Sequence, residues 1–242
     1  MTSIGIYGSL GRMGQSIAAE LGQFGARHAG GADAGDDPTT VAQAADVLVD
    51  FSTPHALEAH LSAARTARTP IVIGTTGLRD QHHAMVDAAA SEIAVLQTGN
   101  TSLGVTLLAT LVREAAARLD IDWDVEIVEM HHRHKVDAPS GTALLLGGAA
   151  AQGRGTTLVE SSVYDRAGVT GERVEGTIGF ASLRGGSVCG DHAVVFAGEG
   201  ERIELVHRAD SRVIFARGAI RAALWLAKQP AGRYSMHEVL GI

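Results

Sequence analysis

Short apolar runs separated by polar, glycine-rich turns dominate the first hundred residues. Five of these runs predict buried β-strands, at residues 4–7, 27–32, 46–51, 70–73 and 93–96. Apolar positions at helical spacing predict helices between several of them, at residues 15–24, 54–68 and 79–90. The helix at 54–68 is supported by Thr53 as its N-cap and by Pro54 at its first position. Alternating strands and helices predict a parallel sheet with helices on both faces.

The pattern changes after a long predicted helix at 103–119, whose apolar stripe includes Leu107 and Leu111. A strand at 124–130 and a helix at 140–152 follow. Three further strands then come without intervening helices, and a final helix leads back to the first domain; the strands lie at 174–180, 187–196 and 201–207 and the helix at 211–228. Consecutive strands of this kind predict a mixed or antiparallel sheet.

The fold class predicted from these patterns is therefore α/β with two domains. The first is a Rossmann-type parallel-sheet domain made of residues 1–102 and 211–242. The second, residues 103–210, is an α+β domain with a mixed or antiparallel sheet.

A glycine-rich turn joins the first predicted strand to the first predicted helix. It reads Gly8, Ser9, Leu10, Gly11, Arg12, Met13, Gly14. Strand, glycine turn and helix together are the context of a dinucleotide-binding turn, in which the pyrophosphate lies on the helix N-terminus. Gly8 permits the tight turn, Gly11 the approach of the pyrophosphate, and Gly14 close packing of the helix. Arg12 can reach a phosphate. A glycine-rich turn without a ligand is the alternative.

The second predicted strand ends at Asp33, about 20 positions past the glycine turn, where an acidic residue binds the ribose hydroxyls. Ala34 follows, and no arginine lies nearby in the sequence to bind a 2′-phosphate, which favours NADH over NADPH. The alternative is that Asp33 only begins a polar loop at 35–38.

Two further loops fall at the carboxyl ends of predicted parallel strands, where such sheets bind ligands. We expect them to surround the nicotinamide half of the dinucleotide; they consist of Gly74, Thr75, Thr76 and of Thr98, Gly99, Asn100, Thr101.

The densest group of titratable side chains, residues 131–135, lies between a predicted strand and a predicted helix start. Its members are His131, His132, Arg133, His134 and Lys135. A metal site built on two of these histidines is one interpretation, but the neighbouring cations oppose it, and the downstream His192 and His207 form no ligand motif. A solvated charged loop is a second interpretation.

A binding site for a dianionic substrate with proton-transfer groups is the third interpretation. Lys135 supplies a positive charge or a proton, and a histidine can donate or accept a proton near neutral pH. The amides of Ser140, Gly141 and Thr142 at the helix N-terminus can bind a carboxylate. This interpretation fits a dinucleotide domain best, because hydride transfer to a polar acceptor needs a proton donor.

Composition restricts the possible partners. The formal charge of −7 and the pI of about 5.8 argue against nucleic acid and against an anionic membrane surface as partners. The single cysteine, Cys189, cannot form a disulfide within the chain, and no signal peptide or membrane span is recognisable in the sequence. We therefore expect a cytoplasmic protein with a small anionic ligand and no bound metal.

Residues 129–143 read Glu-Met-His-His-Arg-His-Lys-Val-Asp-Ala-Pro-Ser-Gly-Thr-Ala, which resembles the signature of the bacterial dihydrodipicolinate reductase family. Further stretches resemble the same family in the same order along nearly the whole chain. They are Gly-Arg-Met-Gly at 11–14, Val-Asp-Phe-Ser at 49–52, Ile-Gly-Thr-Thr-Gly at 73–77, Gly-Thr-Ile-Gly-Phe at 176–180 and Ala-Ala-Leu-Trp-Leu at 222–226.

The resemblance implies roles for individual residues. His131 matches a catalytic proton donor or acceptor, Lys135 a proton donor and His132 a substrate-binding residue. Gly141 and Thr142 match the pair that binds a substrate carboxylate. Residues 8–13, Asp33 and the loops at 74–76 and 98–101 match the cofactor-binding positions, although the family often has an arginine where Ala34 stands and an aromatic residue at Thr101.

The resemblance also implies an activity and an assembly. The expected reaction is NADH- or NADPH-dependent reduction of 4-hydroxy-tetrahydrodipicolinate, a cyclic dicarboxylate, in the diaminopimelate route to lysine. The expected fold has a Rossmann domain and a mixed-sheet domain, and the expected assembly is a homotetramer. Two other functions stay open: a nicotinamide-dependent reductase of another small dicarboxylate, and a non-catalytic protein that senses dinucleotides.

Overall fold

The computed structural model describes residues 1–242, which form two compact units. Unit 1 comprises Met1–Leu103 and Val213–Ile242, and unit 2 comprises Gly104–Arg212. The strands are β1 (Ser3–Tyr7), β2 (Arg27–Ala32), β3 (Val47–Asp50), β4 (Ile71–Ile73), β5 (Ala94–Gln97), β6 (Asp124–His131), β7 (Ser162–Val163), β8 (Ile178–Arg184), β9 (Asp191–Gly198), β10 (Glu201–Arg208) and β11 (Gly232–Tyr234). The helices are α1 (Arg12–Glu20), α2 (Pro38–Ala44), α3 (Leu57–Ala67), α4 (Asp80–Ala90), α5 (Leu103–Arg118), α6 (Gly141–Gly153), α7 (Leu158–Ser161), α8 (Val213–Leu226) and α9 (Met236–Leu240).

Unit 1 is built on a parallel six-stranded sheet in the order β11-β5-β4-β3-β1-β2. Alternation along β1 points Ile4 and Ile6 towards one apolar core, which they share with Ile17 of α1 and Ile220 of α8. Tyr7 belongs to the opposite core, together with apolar residues of α2, α3 and α4. Helices therefore cover both faces, and the predicted Rossmann-type domain is confirmed.

Unit 2 is built on a five-stranded sheet in the order β10-β9-β6-β8-β7. The central strand β6 runs antiparallel to β9 and parallel to β8, so the predicted mixed sheet is confirmed. The core lies on one face of this sheet, where Val112 of α5 and Leu146 of α6 pack with Ile127 and Phe196. The same face of β6 carries Glu129, which brings polar side chains to the edge of this core.

Several predicted elements differ from the structure. Helix α2 was not predicted, although Asp37 caps it by accepting a hydrogen bond from Thr39 N at 2.9 Å and Pro38 stands at its first position. The short strand β11 and helix α9 were also not predicted. The stripe predicted for α5 was partly wrong, because Leu107 and Leu111 are each 46% exposed.

The strand predicted at 174–180 was placed too early, since β8 begins at Ile178. Residues 174–177 form a turn instead. In this turn Thr177 Oγ1 donates to Val174 O at 2.7 Å, and the Arg173 guanidinium donates to Thr177 O at 2.7 Å. Such a turn satisfies backbone groups that a strand would have paired with its neighbour.

The helix predicted at 54–68 begins with a short 3-10 segment, Pro54–Ala56, and Thr53 makes no side-chain capping bond. No helix in the structure combines the length and the hydropathy needed to cross a bilayer.

Candidate active site

The glycine-rich turn of unit 1 packs so tightly that two of its glycines cannot be replaced without moving backbone. Gly8 has a φ of +78°, which side chains disfavour, and its amide donates to Ala32 O at 2.8 Å. A Cβ on Gly14 would lie 2.3 Å from Gly8 O. The first turn of α1 therefore lies directly against the turn, and the amides at the start of this helix, including those of Arg12 and Met13, can bind an anion there.

Asp33 lies against the same turn. Its carboxylate accepts hydrogen bonds from Ser9 Oγ at 2.5 Å and from the Leu10 amide at 3.1 and 3.2 Å. Leu10, Gly11 and Arg12 are exposed. The structure thus brings together the glycine turn and the acidic residue that were predicted to bind the pyrophosphate and the ribose.

The two loops predicted to surround the nicotinamide keep some of their side chains inside the protein. Thr75 is 4% exposed and its hydroxyl bonds Asp50 Oδ1 at 3.1 Å. Thr101 is 2% exposed and donates to Phe215 O at 2.8 Å. Both hydroxyls bond protein atoms, so the expected cofactor contacts of these two residues stay a prediction that concerns their backbone groups. Gly74, Thr98 and Asn100 are half-buried, and Thr76 and Gly99 are exposed.

Asp50, which the sequence did not single out, anchors the first of these loops. It is fully buried at the end of β3 and accepts hydrogen bonds from Ser52 Oγ at 2.6 Å and from His60 Nδ1 at 2.8 Å. Its bond to Thr75 joins the loop after β3 to the loop after β4. A buried carboxylate needs such partners, and here they fix the edge of the sheet where ligands bind.

In unit 2 the end of β6 carries two buried polar side chains on the core side of the sheet. Glu129 is 1% exposed and His131 is 8% exposed. Strand alternation places both on the same face as Ile127, and Glu129 Oε2 lies 2.5 Å from His131 Nδ1. A carboxylate at Nδ1 fixes the ring orientation and leaves Nε2 for other contacts.

Arg184 of β8 holds Glu129 through two parallel hydrogen bonds. Its two terminal nitrogens donate to the two carboxylate oxygens at 2.9 and 2.8 Å. Burial alone would raise the pKa of Glu129, but the bonds from Arg184 and His131 outweigh it and hold this pKa at about 2. Glu129 is therefore an anion throughout the neutral range, next to the His131 ring.

The start of α6 is attached to the same carboxylate. The Ser140 amide donates to Glu129 Oε1 at 3.3 Å, and Ser140 Oγ caps the helix by accepting from Ala143 N at 3.1 Å. Gly141 and Thr142 are the first two residues of the helix, the former exposed and the latter half-buried. Glu129 therefore connects the predicted proton-transfer histidine with the predicted carboxylate-binding amides.

Lys135 joins this network through Asp137. Lys135 Nζ donates to both carboxylate oxygens of Asp137, at 2.8 and 2.9 Å, and this contact lowers the pKa of Asp137. Arg184 also donates to the Asp137 carbonyl at 2.7 Å. The lysine predicted to supply a positive charge or a proton therefore has a carboxylate partner within the protein.

His132 is hydrogen-bonded to Arg212 and not to the Glu129 network. Its Nε2 accepts a hydrogen bond from Arg212 at 2.9 Å. Desolvation and the positive charge of Arg212 lower the pKa of His132, so this ring is neutral when it accepts that bond. Arg133 and His134 are exposed. The structure contains no group of three or more histidine, cysteine, aspartate or glutamate residues arranged to hold a metal ion.

Two family models match the chain almost end to end. The model described as "Dihydrodipicolinate reductase, N-terminus" matches residues 2–101, and the one described as "Dihydrodipicolinate reductase, C-terminus" matches residues 104–240. This chain belongs to the dihydrodipicolinate reductase family. The resemblance inferred from the motif at 129–143 is thereby confirmed, and the family is one of oxidoreductases that use a pyridine nucleotide.

Other members of the dihydrodipicolinate reductase family resemble this chain over their whole length. The 4-hydroxy-tetrahydrodipicolinate reductase of Zymomonas mobilis subsp. mobilis is 57% identical, covering 99% of this chain and 97% of the relative. The 4-hydroxy-tetrahydrodipicolinate reductase 1 of Mesorhizobium japonicum is 49% identical, covering 98% and 96%. The solved dipicolinate-bound dihydrodipicolinate reductase from Paenisporosarcina sp. TG-14 covers 98% of both chains with a TM-score of 0.76 and 23% identity, which supports the fold.

Two neighbours of Glu129 were not predicted from the sequence: Arg184, which bonds its carboxylate, and His192, its cross-strand partner on β9. Arg184 lies 55 positions from Glu129, and only the parallel pairing of β6 with β8 brings them together. His192 was considered only as a metal ligand. A detectable signal was its place in β9, where it shares the inward face with Val194 and Phe196.

The packing of Gly14 gives a test of the dinucleotide turn. Gly14→Ala places a methyl group against Gly8 O and forces the turn to shift. Overpacking of this kind costs about 1–3 kcal/mol, and a shift of the turn on this scale should weaken NADH binding about 5- to 150-fold. Gly22→Ala is the matched control, because a Cβ there meets nothing within 4 Å. Fluorescence titration with NADH measures both variants, and equal affinity of Gly14→Ala and the wild type would contradict the assignment of this turn.

Proposed function

We propose that this chain catalyses the reduction of 4-hydroxy-tetrahydrodipicolinate to tetrahydrodipicolinate with NADH or NADPH, in the diaminopimelate route of lysine biosynthesis. The observation that carries this proposal is the network in which Glu129 links His131 to the start of α6, in a chain that belongs to the dihydrodipicolinate reductase family. This network connects the His131 ring on β6, which we assign to proton transfer, with the amides at the start of α6, which we assign to a carboxylate.

The residues of unit 1 fit a dinucleotide. Gly8 and Gly14 have no room for a Cβ, and the amides of Arg12 and Met13 lie at the start of α1. When bound, the reduced nicotinamide supplies the hydride. We assign the pyrophosphate to this turn, the ribose hydroxyls to Asp33, and the nicotinamide half to the loops at 74–76 and 98–101. NADH is favoured, because the Asp33 carboxylate repels a 2′-phosphate and Ala34 offers no compensating charge.

The residues of unit 2 are assigned to the substrate. The Gly141 and Thr142 amides bind one carboxylate, where the helix N-terminus favours negative charge. Lys135 and His132 bind the other polar end of the cyclic dicarboxylate. The dipicolinate bound to the Paenisporosarcina reductase is a planar dicarboxylate, which supports this substrate class.

The proton comes from the pair His131 and Lys135. In the net reaction, one hydride and one proton add to the ring and one water leaves it. The Glu129 carboxylate orients the His131 ring, because Glu129 Oε2 lies 2.5 Å from His131 Nδ1 in a buried site. Lys135 carries an ammonium donor and is held in place by Asp137.

We propose a homotetramer in the cytoplasm. The sheet face of unit 2 that α5 and α6 leave open carries exposed apolar side chains among charged ones: Met130 is half-buried, its cross-strand partner Leu183 is 50% exposed, and Val206 is 45% exposed. Exposed apolar side chains on a sheet face support association with further copies of the chain. The cytoplasm is where a biosynthetic reductase meets its reduced dinucleotide. Neither nucleic acid nor a membrane is a proposed partner.

The test is steady-state oxidation of NADH and NADPH, run in parallel, with the condensation product of pyruvate and aspartate semialdehyde. We expect turnover with both cofactors and a higher kcat/KM for NADH. Turnover of a different dicarboxylate alone would indicate another reductase, and binding of the dinucleotide without turnover would indicate a sensor. A chelator such as EDTA leaves the rate unchanged, whereas abolished activity would indicate a metal-dependent site.

A further inference from the structure

His192 is a buried polar residue that lies beside both the His131 ring and the start of α6. It lies on β9, is 4% exposed and is the cross-strand partner of Glu129 on β6. Its Nε2 lies 3.0 Å from Ser140 Oγ, while its Nδ1 is buried without a hydrogen-bond partner. Its ring stands edge-on to the His131 ring, with centroids 5.1 Å apart and an interplanar angle of 74°.

The contact with Ser140 joins His192 to the start of α6. Ser140 Oγ already accepts the Ala143 amide hydrogen, so its own hydrogen is available for Nε2 of His192. Burial, and then the neighbouring charge of His131, lower the pKa of His192 to about 4. The ring is therefore neutral at the working pH, can accept this hydrogen, and adds no positive charge beside His131.

We propose that His192 is a positioning residue that fixes the carboxylate-binding amides of Gly141 and Thr142 by holding the Ser140 hydroxyl. Glu129 holds the Ser140 backbone at 3.3 Å, and His192 holds the side chain of the same residue. Because Glu129 and His192 are paired across neighbouring strands, the sheet fixes the position of the helix start relative to the His131 ring. This inference rests on the proposed function, since it assigns a substrate carboxylate to those amides.

The test compares His192→Leu with His192→Gln. Leucine removes the acceptor, whereas the glutamine side chain places an amide where Nε2 was. We expect His192→Leu to bind dipicolinate about tenfold more weakly and to raise the substrate KM by a similar factor, as loss of one buried hydrogen bond implies. The KM for NADH should stay within about twofold, because the dinucleotide is assigned to unit 1 and His192 lies in unit 2. His192→Gln should recover most of the affinity for dipicolinate. Calorimetric titration with dipicolinate measures binding in the absence of turnover.

His207→Leu is the matched control. His207 is the cross-strand partner of His192 on β10 and makes no hydrogen bond to Ser140, so its replacement keeps the His192–Ser140 contact and leaves dipicolinate affinity unchanged. Ser140→Ala should weaken binding at least as much as His192→Leu, because it also removes the cap on Ala143 N. The double variant should bind no more weakly than Ser140→Ala alone, because His192 acts through the Ser140 hydroxyl. Thermal unfolding of each variant separates loss of fold from loss of positioning.

Several outcomes would overturn the role of His192. They are unchanged dipicolinate affinity in a folded His192→Leu protein, additive effects of the two substitutions, and an equal rise in the KM for NADH. Failure of the proposed function gives a different result, because a wild-type protein that binds dipicolinate but does not oxidise NADH with the substrate rejects the reaction and leaves the binding test intact.

Discussion

Lys135→Ala is expected to lower kcat by about 10²- to 10⁴-fold, the usual contribution of a positioned proton donor. The substitution removes the ammonium group that Asp137 holds and that we assign to the substrate and to proton transfer. NADH binding should be unchanged, because the dinucleotide is assigned to unit 1. Stopped-flow turnover together with a fluorescence titration of NADH measures the two effects separately.

Two further variants identify what Lys135 contributes. Lys135→Arg keeps the positive charge and can pair with Asp137, but a guanidinium does not release a proton at neutral pH. If Lys135 is the donor, this variant stays slow; if only its charge matters, activity returns. Arg133→Ala is the charge-matched control, since Arg133 is exposed in the same loop and has no assigned role. Near-normal turnover of Lys135→Ala would contradict the assignment of Lys135.

Glu129→Gln is expected to cost about 3 kcal/mol of folding stability at pH 7, because it leaves Arg184 without its buried anion. The pKa of Glu129 is about 2 in the folded protein and about 4.5, the ordinary value of a solvated glutamate, in the unfolded chain. A lowered folded-state pKa means that this stability is fully present above pH 4.5 and is lost as the pH falls towards 2.

The free energy of unfolding of the wild type should therefore fall between pH 4.5 and 2 because of this residue. In Glu129→Gln the free energy of unfolding should depend less on pH over the same range. Urea unfolding across this range measures the difference. Glu204→Gln is the control, because Glu204 pairs with Arg202 at the surface of β10, where an ion pair contributes little. If the free energy of unfolding of Glu129→Gln fell as steeply with pH as that of the wild type, the Glu129–Arg184 pair would not be the source of this pH dependence.

The parts of the fold that local sequence determines were predicted well. Strand β2 was predicted at its observed bounds, and the turn from Gly8 to Gly14 was predicted from its context of strand and helix. Helix α2 was missed because it is short and polar at its start, although Asp37 and Pro38 carried its signal. Strand β11 was missed because a three-residue strand depends on its pairing with β5.

The candidate network was predicted only where it lies within one stretch of sequence. His131, Lys135 and the amides of Gly141 and Thr142 come from residues 129–143, so a single motif led to the prediction of their roles. Arg184 and His192 reach the site through strand pairing, which sequence spacing does not encode. Local patterns also do not report that the hydroxyls of Thr75 and Thr101 bond protein atoms inside unit 1.

The most direct test of the proposed reaction is to follow the hydride itself. NADH carrying deuterium at both C4 positions of the nicotinamide is oxidised by the wild-type protein in the presence of the pyruvate and aspartate semialdehyde condensation product, and the product is analysed by mass spectrometry. We predict tetrahydrodipicolinate that carries a single deuterium, formed in step with NADH oxidation. Product without deuterium, or NADH oxidation without tetrahydrodipicolinate, would contradict this reaction.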